Sequence, residues 1–217
     1  MSGLDTSATI AVVGAGTMGA GIAQLAASAG HQVLLFDAGE GAAQNGKAKI
    51  GQTLERLVTK GKMTAEDTDA LLSRIAPVKA LADLSGAALV IEAIIEDLNI
   101  KRGLFADLEA IVGPETILAT NTSSLSVTAI ARDLLHPERM LGMHFFNPAP
   151  VMKLVEVVSG VATSRKVAET TFATAETWGK IAVHTKSTPG FIVNRVARAY
   201  YAEPLRLLEE QVADVAT

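Results

Sequence analysis

His144 lies in the apolar run 139–146 and Glu156 in the apolar run 153–158, with Asn147-Pro148-Ala149-Pro150 between them. The two prolines remove two backbone donors, so 147–150 must be a turn or loop. Taken as antiparallel neighbours about Pro150, the runs set His144 opposite Glu156, each six residues from the centre. A carboxylate on one ring nitrogen fixes the tautomer and stabilises the imidazolium. The other nitrogen is then free to take a proton near neutral pH. His31, His136 and His184 have no such partner in this reading and are taken as surface or loop residues. A further set, Asn121-Thr122-Ser123-Ser124, follows the strand-like run 116–120. One of the four is expected to cap a helix near 127–130, and four exceed what a cap requires.

These residues need a frame, and the frame is legible near the start. The apolar residues 9–13 run into Gly14-Ala15-Gly16-Thr17-Met18-Gly19, and a helical pattern follows until Gly30. Strand, glycine turn and helix in this order suit a dinucleotide pyrophosphate. Gly14 permits the tight turn, Gly16 lets backbone approach the phosphates, and Gly19 lets helix and strand pack closely. A second strand, 31–36, ends in Asp37, 18 residues after Gly19. An acid there suits the ribose hydroxyls of NAD and repels the 2′-phosphate of NADP.

The composition agrees with a soluble α/β protein: 217 residues, 49% hydrophobic and 19% charged. No apolar run is long enough to span a bilayer, and residues 1–8 lack the pattern of a secretory signal. The absence of Cys excludes disulfides, thiolate catalysis and cysteine-held zinc, and it agrees with a reducing compartment. The net charge of −4 argues against a nucleic-acid surface. Within that acidic chain, residues 40–62 read as a helix with five basic residues, Lys47, Lys49, Arg56, Lys60 and Lys62, against Glu40 and Glu55. On charge alone this is a solvated face or a dock for a phosphorylated ligand.

Further strands are expected at 75–78, 87–91, 116–120 and 181–183, and helices at 100–111 and 164–178. A shorter helix is expected after Thr64. The acidic stretch Glu92 to Asp97 stands where a parallel sheet meets its ligand, or else caps the helix that follows. Ser187-Thr188-Pro189-Gly190 reads as a hinge, and 191–210 as one long helix kinked at Pro204. Its stripe of Phe191, Val196, Tyr200 and Leu207 would have nothing to cover it, so a second helical domain is expected to begin there.

The motifs Gly14-Ala15-Gly16-Thr17-Met18-Gly19-Ala20-Gly21-Ile22-Ala23, Glu92-Ala93-Ile94-Ile95-Glu96, Asn121-Thr122-Ser123-Ser124-Leu125, Gly142-Met143-His144-Phe145-Phe146-Asn147-Pro148, Leu154-Val155-Glu156 and Pro189-Gly190-Phe191-Ile192-Val193-Asn194-Arg195 resemble the 3-hydroxyacyl-CoA dehydrogenase family. They occur in the family's order over nearly the whole chain. The resemblance implies a Rossmann-type, mainly parallel sheet with an antiparallel extension, residues 1–186, carrying a helical arm at about 40–75. Residues 187–217 would open an all-α domain, whose further helices in the family lie outside this chain.

The resemblance also implies roles. His144 is the catalytic base, Glu156 its partner, and Ser123 and Asn194 orient the substrate. NAD contacts fall on Gly14, Gly16, Thr17, Met18, Gly19, Asp37, Glu96, Lys101, Ser123 and Asn147. The basic arm meets coenzyme A phosphates, with Lys47, Lys49 and Lys60 as contacts. The implied function is interconversion of (S)-3-hydroxyacyl-CoA and 3-oxoacyl-CoA with NAD, by a cytoplasmic enzyme whose full-length parent is a homodimer. No metal, membrane or nucleic-acid partner is expected. Two alternatives stand beside this reading. One is another 3-hydroxyacid dehydrogenase; such enzymes rely on a helix lysine where this chain has Asn194-Arg195. The other is a non-catalytic NAD-binding fragment.

Overall fold

Strand β1 (Ile10–Val13) is buried along its whole length. Ile10 and Val12 face one apolar cluster with Ile22, Leu35 and Ile50, while Ala11 and Val13 face a second with Phe105, Leu108 and Leu118. A strand covered on both faces belongs in the middle of a parallel sheet. In this computed structural model, which describes residues 2–216, seven more strands complete that sheet. They are β2 (Val33–Phe36), β3 (Ile75–Pro77), β4 (Leu89–Glu92), β5 (Ile117–Thr120), β6 (Met140–Phe145), β7 (Leu154–Ser159) and β8 (Ile181–Lys186). The helices are α1 (Thr17–Ser28), α2 (Ala42–Thr59), α3 (Ala65–Ser73), α4 (Leu98–Ile111), α5 (Val127–Ile130), α6 (Arg165–Thr177) and α7 (Val193–Glu209).

The strand order is β3-β2-β1-β4-β5-β6-β7-β8. The first six strands are parallel, β7 runs antiparallel to β6, and β8 runs parallel to β7. This is the mainly parallel sheet with an antiparallel extension that the sequence predicts. The order reverses between β1 and β4. Beyond the carboxyl ends of those strands lies the crevice in which such sheets bind ligands.

Several local expectations are corrected. None of Asn121 to Ser124 caps α5; Ser126 does, its hydroxyl accepting from the Ala129 amide. The helix expected at 191–210 begins at Val193, because Phe191 takes a left-handed φ of 47° and turns its ring into the core. That removes Phe191 from the exposed stripe. His31 is buried, with its Nδ1 against the Ala8 carbonyl and its ring edge-on to Trp178. His136 has an acidic neighbour after all, Glu138 at 3.2 Å. Strand β8 extends three residues past the 181–183 run, since its full length pairs with β7.

Candidate active site

The glycine turn closes between β1 and α1. A methyl group on Gly14, whose φ is 104°, would come within 2.5 Å of the Ala93 carbonyl oxygen. One on Gly19 would lie 1.7 Å from the Gly14 oxygen, so only glycine allows helix and strand this close. A methyl on Gly16 would meet nothing within 4 Å: the backbone there borders open space. That space is a cavity of about 890 Å³ lined by Gly14, Gly16, Thr17, Met18, Asp37 and Ile94, among others. Asp37 accepts from the Ala15 amide at 2.7 Å and the Gly39 amide at 2.9 Å, which fixes its carboxylate at the rim. An open glycine backbone at a helix N-terminus, with an acid alongside, fits a pyrophosphate and a ribose diol.

The register pairs His144 with Glu156 across β6 and β7. His144 Nδ1 lies 2.6 Å from Glu156 Oε2, with both residues buried. A carboxylate can only accept, so Nδ1 donates and Nε2 carries the free lone pair. The other Glu156 oxygen, Oε1, accepts from the Ile192 and Val193 amides at 2.8 and 2.9 Å, where α7 begins. Phe191 packs edge-on against the His144 ring at 5.6 Å, and Phe146 lies 4.6 Å from it. One carboxylate therefore fixes both the imidazole and the start of the helix that carries Asn194.

Ser123 and Asn194 come together from distant parts of the chain: Asn194 Nδ2 donates to the Ser123 carbonyl at 3.2 Å. The turn around Ser123 is held by Glu96. Its Oε1 accepts from the Thr122 hydroxyl, from the Ser123 amide at 3.1 Å and from the Ser124 amide at 3.3 Å. Burial pushes the Glu96 carboxyl up, but the Thr122 hydroxyl, the Lys101 charge and the Ser123 amide outweigh it and hold it below the usual value. Lys101 is placed differently from the other expected cofactor contacts. Its ammonium is buried, 2.6 Å from Glu92 and 3.4 Å from Glu96. Glu92 belongs to the network within the sheet, not to the rim, and Asp97 caps α4 through the Asn99 and Ile100 amides. The capping reading of the acidic stretch holds for Asp97, while Glu96 lies beside the turn that carries Ser123.

The basic arm divides. Lys47 donates to the Ile75 carbonyl at 2.7 Å, which ties its ammonium to β3. Lys49 lines a groove of about 600 Å³ between α1, α2 and the 147–151 loop, with Gly16, Thr17 and Asn147 also on its wall. Lys60 is exposed at the end of α2. The loop is held from beneath by Lys180, which donates to the Ala149 and Met152 carbonyls at 2.6 and 2.8 Å. Burial pushes the Lys180 ammonium below its ordinary value. Sequence reasoning missed Lys180, and the one available signal was a lysine between Gly179 and the apolar strand that follows. It also missed Thr122 and Glu92 as supports.

Sheet and glycine turn define a dinucleotide-binding α/β domain, which also holds a buried His–Glu pair. The chain belongs to the 3-hydroxyacyl-CoA dehydrogenase family: the family model described as 3-hydroxyacyl-CoA dehydrogenase, NAD binding domain, matches residues 9–188. NAD is therefore the cofactor of the domain. The 3-hydroxyadipyl-CoA dehydrogenase of Escherichia coli (strain K12) is 56% identical over 205 residues, covering 94% of this chain and 43% of that protein. The 3-hydroxybutyryl-CoA dehydrogenase of Clostridioides difficile is 43% identical over 204 residues, covering 94% of this chain and 73% of that one. The crystal structure of a 3-hydroxybutyryl-CoA dehydrogenase from E. coli K12 superimposes with a TM-score of 0.93 at 55% identity, over 97% of this chain and 44% of that one. The chain thus spans under half the length of two of these relatives.

Proposed function

We propose that the protein acts as an NAD-dependent (S)-3-hydroxyacyl-CoA dehydrogenase, with His144 as the base. The observation that carries this reading is the His144–Glu156 pair at 2.6 Å, with Nδ1 engaged and Nε2 free. In oxidation Nε2 takes the proton of the C3 hydroxyl, and in reduction it returns it. Glu156 supports the imidazolium that forms and keeps the ring turned. Ser123 and Asn194 hold the C3 oxygen and stabilise the charge it gains. NAD, when bound, supplies the hydride acceptor. The glycine turn, Asp37, Glu96 and Asn147 hold and orient it, and Lys101 acts behind Glu96.

The acyl-CoA class follows from the names of the relatives and from a basic arm beside an apolar groove. We place the phosphates at Lys49 and Lys60. We assign residues 1–186 to the cofactor domain and 187–217 to the start of a helical one, through which the full-length protein pairs as a homodimer. No helix among the described residues is long and apolar enough to cross a membrane, and we place the protein in the cytoplasm. Oxidation of NADH by acetoacetyl-CoA, followed at 340 nm beside a titration of NADH binding, tests the reading. Turnover supports it; NADH binding with no turnover of any 3-oxoacyl-CoA would refute it.

A further inference from the structure

Glu92 has no part in the chemistry just described, yet it is a fully buried carboxylate. All its partners are internal. Oε1 accepts from the Ile94 amide and the Lys101 ammonium, both at 2.6 Å, and Oε2 accepts from the Thr120 hydroxyl at 2.7 Å. It therefore joins the ends of β4 and β5 to α4. Neighbouring Ala93 and Ile94 line the cavity beside Gly14, whereas Glu92 does not reach it.

The Lys101 ammonium is shared between two carboxylates. It lies 2.6 Å from Glu92 and 3.4 Å from Glu96. Only Glu96 also faces the site, where its other oxygen holds the Ser123 and Ser124 amides. Ser123 in turn receives the Asn194 amide. A buried cation requires a counter-charge. With Glu92 ionised, that requirement is met inside the sheet, and Glu96 stays free to grip the turn. With Glu92 neutral, Glu96 becomes the sole counter-ion. It is then drawn toward Lys101, off the Ser123 and Ser124 amides.

We propose that Glu92 is a positioning residue that acts through Lys101 and Glu96 to hold the Ser123 turn, and with it Asn194, in register with His144. The inference rests on the roles proposed above for Ser123 and Asn194. Its first test does not require turnover.

The test is Glu92→Gln in the 217-residue chain, which keeps the shape and removes the charge. Amide hydrogen exchange is read by NMR. Exchange at Ser123 and Ser124 is expected to rise by about 10-fold or more, while that at Ala11 and Val12 in β1 changes by less than about 2-fold. Exchange that rises equally in the turn and in β1 means a general loss of stability and overturns the proposal, as does a turn that is unmoved. The second readout separates KM from kcat. kcat with acetoacetyl-CoA is expected to fall by about 10- to 100-fold, and NADH affinity to fall by less, since Glu96 is one of several residues that hold the cofactor. A loss confined to NADH affinity would overturn the positioning role. If Glu92→Gln does not fold, Glu92→Asp leaves the Thr120 hydroxyl on the Thr122 amide in place and draws the carboxylate back from Lys101. Faster exchange at Ser123 and Ser124 in that variant supports the proposal, and an unchanged turn refutes it. Should the parent lack turnover, the dehydrogenase reading fails while the exchange result still decides the role of Glu92.

Discussion

Glu156 uses both of its oxygens, Oε2 on His144 and Oε1 on the amides that open α7. The facing of His144 and Glu156 was legible in the sequence, because two prolines fix the loop and an antiparallel register follows from its centre. The second task of Glu156 was not, since it depends on where Phe191 turns. Depth was also illegible: a lysine nine residues after Glu92 reads equally well as a rim contact or a buried ion. Glu96 gives a residue-scale test of its own. Its folded pKa lies below the ordinary glutamate value of about 4.3. Its stabilising contribution is therefore complete above that value and is lost as pH falls through the folded one. Thermal unfolding of the parent and of Glu96→Gln should give a Tm gap at pH 7 that narrows below about pH 4. A gap independent of pH would show that the Glu96 charge does not hold the turn. Asp37→Ala should narrow the preference for NADH over NADPH, read by fluorescence titration, mainly by weakening NADH and removing repulsion of the 2′-phosphate. An unchanged ratio of affinities would remove Asp37 from cofactor choice.

At the scale of elements, the glycine turn and the alternation of strands and helices were legible because each strand is an apolar run closed by a turn or cap. The ends of elements were less so. Ser126 rather than one of Asn121 to Ser124 caps α5, because Glu96, just beyond the neighbouring strand β4, holds Thr122, Ser123 and Ser124, and the Asn121 side chain accepts from the Phe145 amide. The basic arm was legible as a charged helix but not as two groups of lysines, since only packing ties Lys47 to the Ile75 carbonyl. The two groups should respond differently to charge reversal. Lys49→Glu and Lys60→Glu should raise the apparent KM for acetoacetyl-CoA far more than that for NADH, by an amount that shrinks with added salt. Lys47→Glu should instead lower Tm, because it breaks a bond between α2 and β3. Equal effects of all three on the KM for acetoacetyl-CoA would show that Lys47 docks the substrate as well.

Across the whole molecule, α7 carries apolar side chains that meet solvent. Val196, Tyr200, Tyr201 and Leu205 are each about two-thirds exposed. An apolar face of this kind drives association. Light scattering should report dimers or larger species at micromolar concentration, and Tyr200→Ser with Leu205→Ser should restore the monomer. A monomeric parent at those concentrations would contradict this. Turnover should be slow in the 217-residue chain, because beyond its tied first turn the helix that carries Asn194 buries none of its residues. The base is nonetheless testable as a ratio. Steady-state kinetics of acetoacetyl-CoA reduction should be measured for the parent, His144→Gln, Glu156→Gln and the double variant, beside NADH titrations of each. The account predicts a kcat for His144→Gln lower by about 10²–10⁴-fold, unchanged NADH affinity, and a double variant little worse than His144→Gln alone. An unchanged kcat in His144→Gln would contradict it outright, and losses that multiply in the double variant would show that the two residues do not act as a pair.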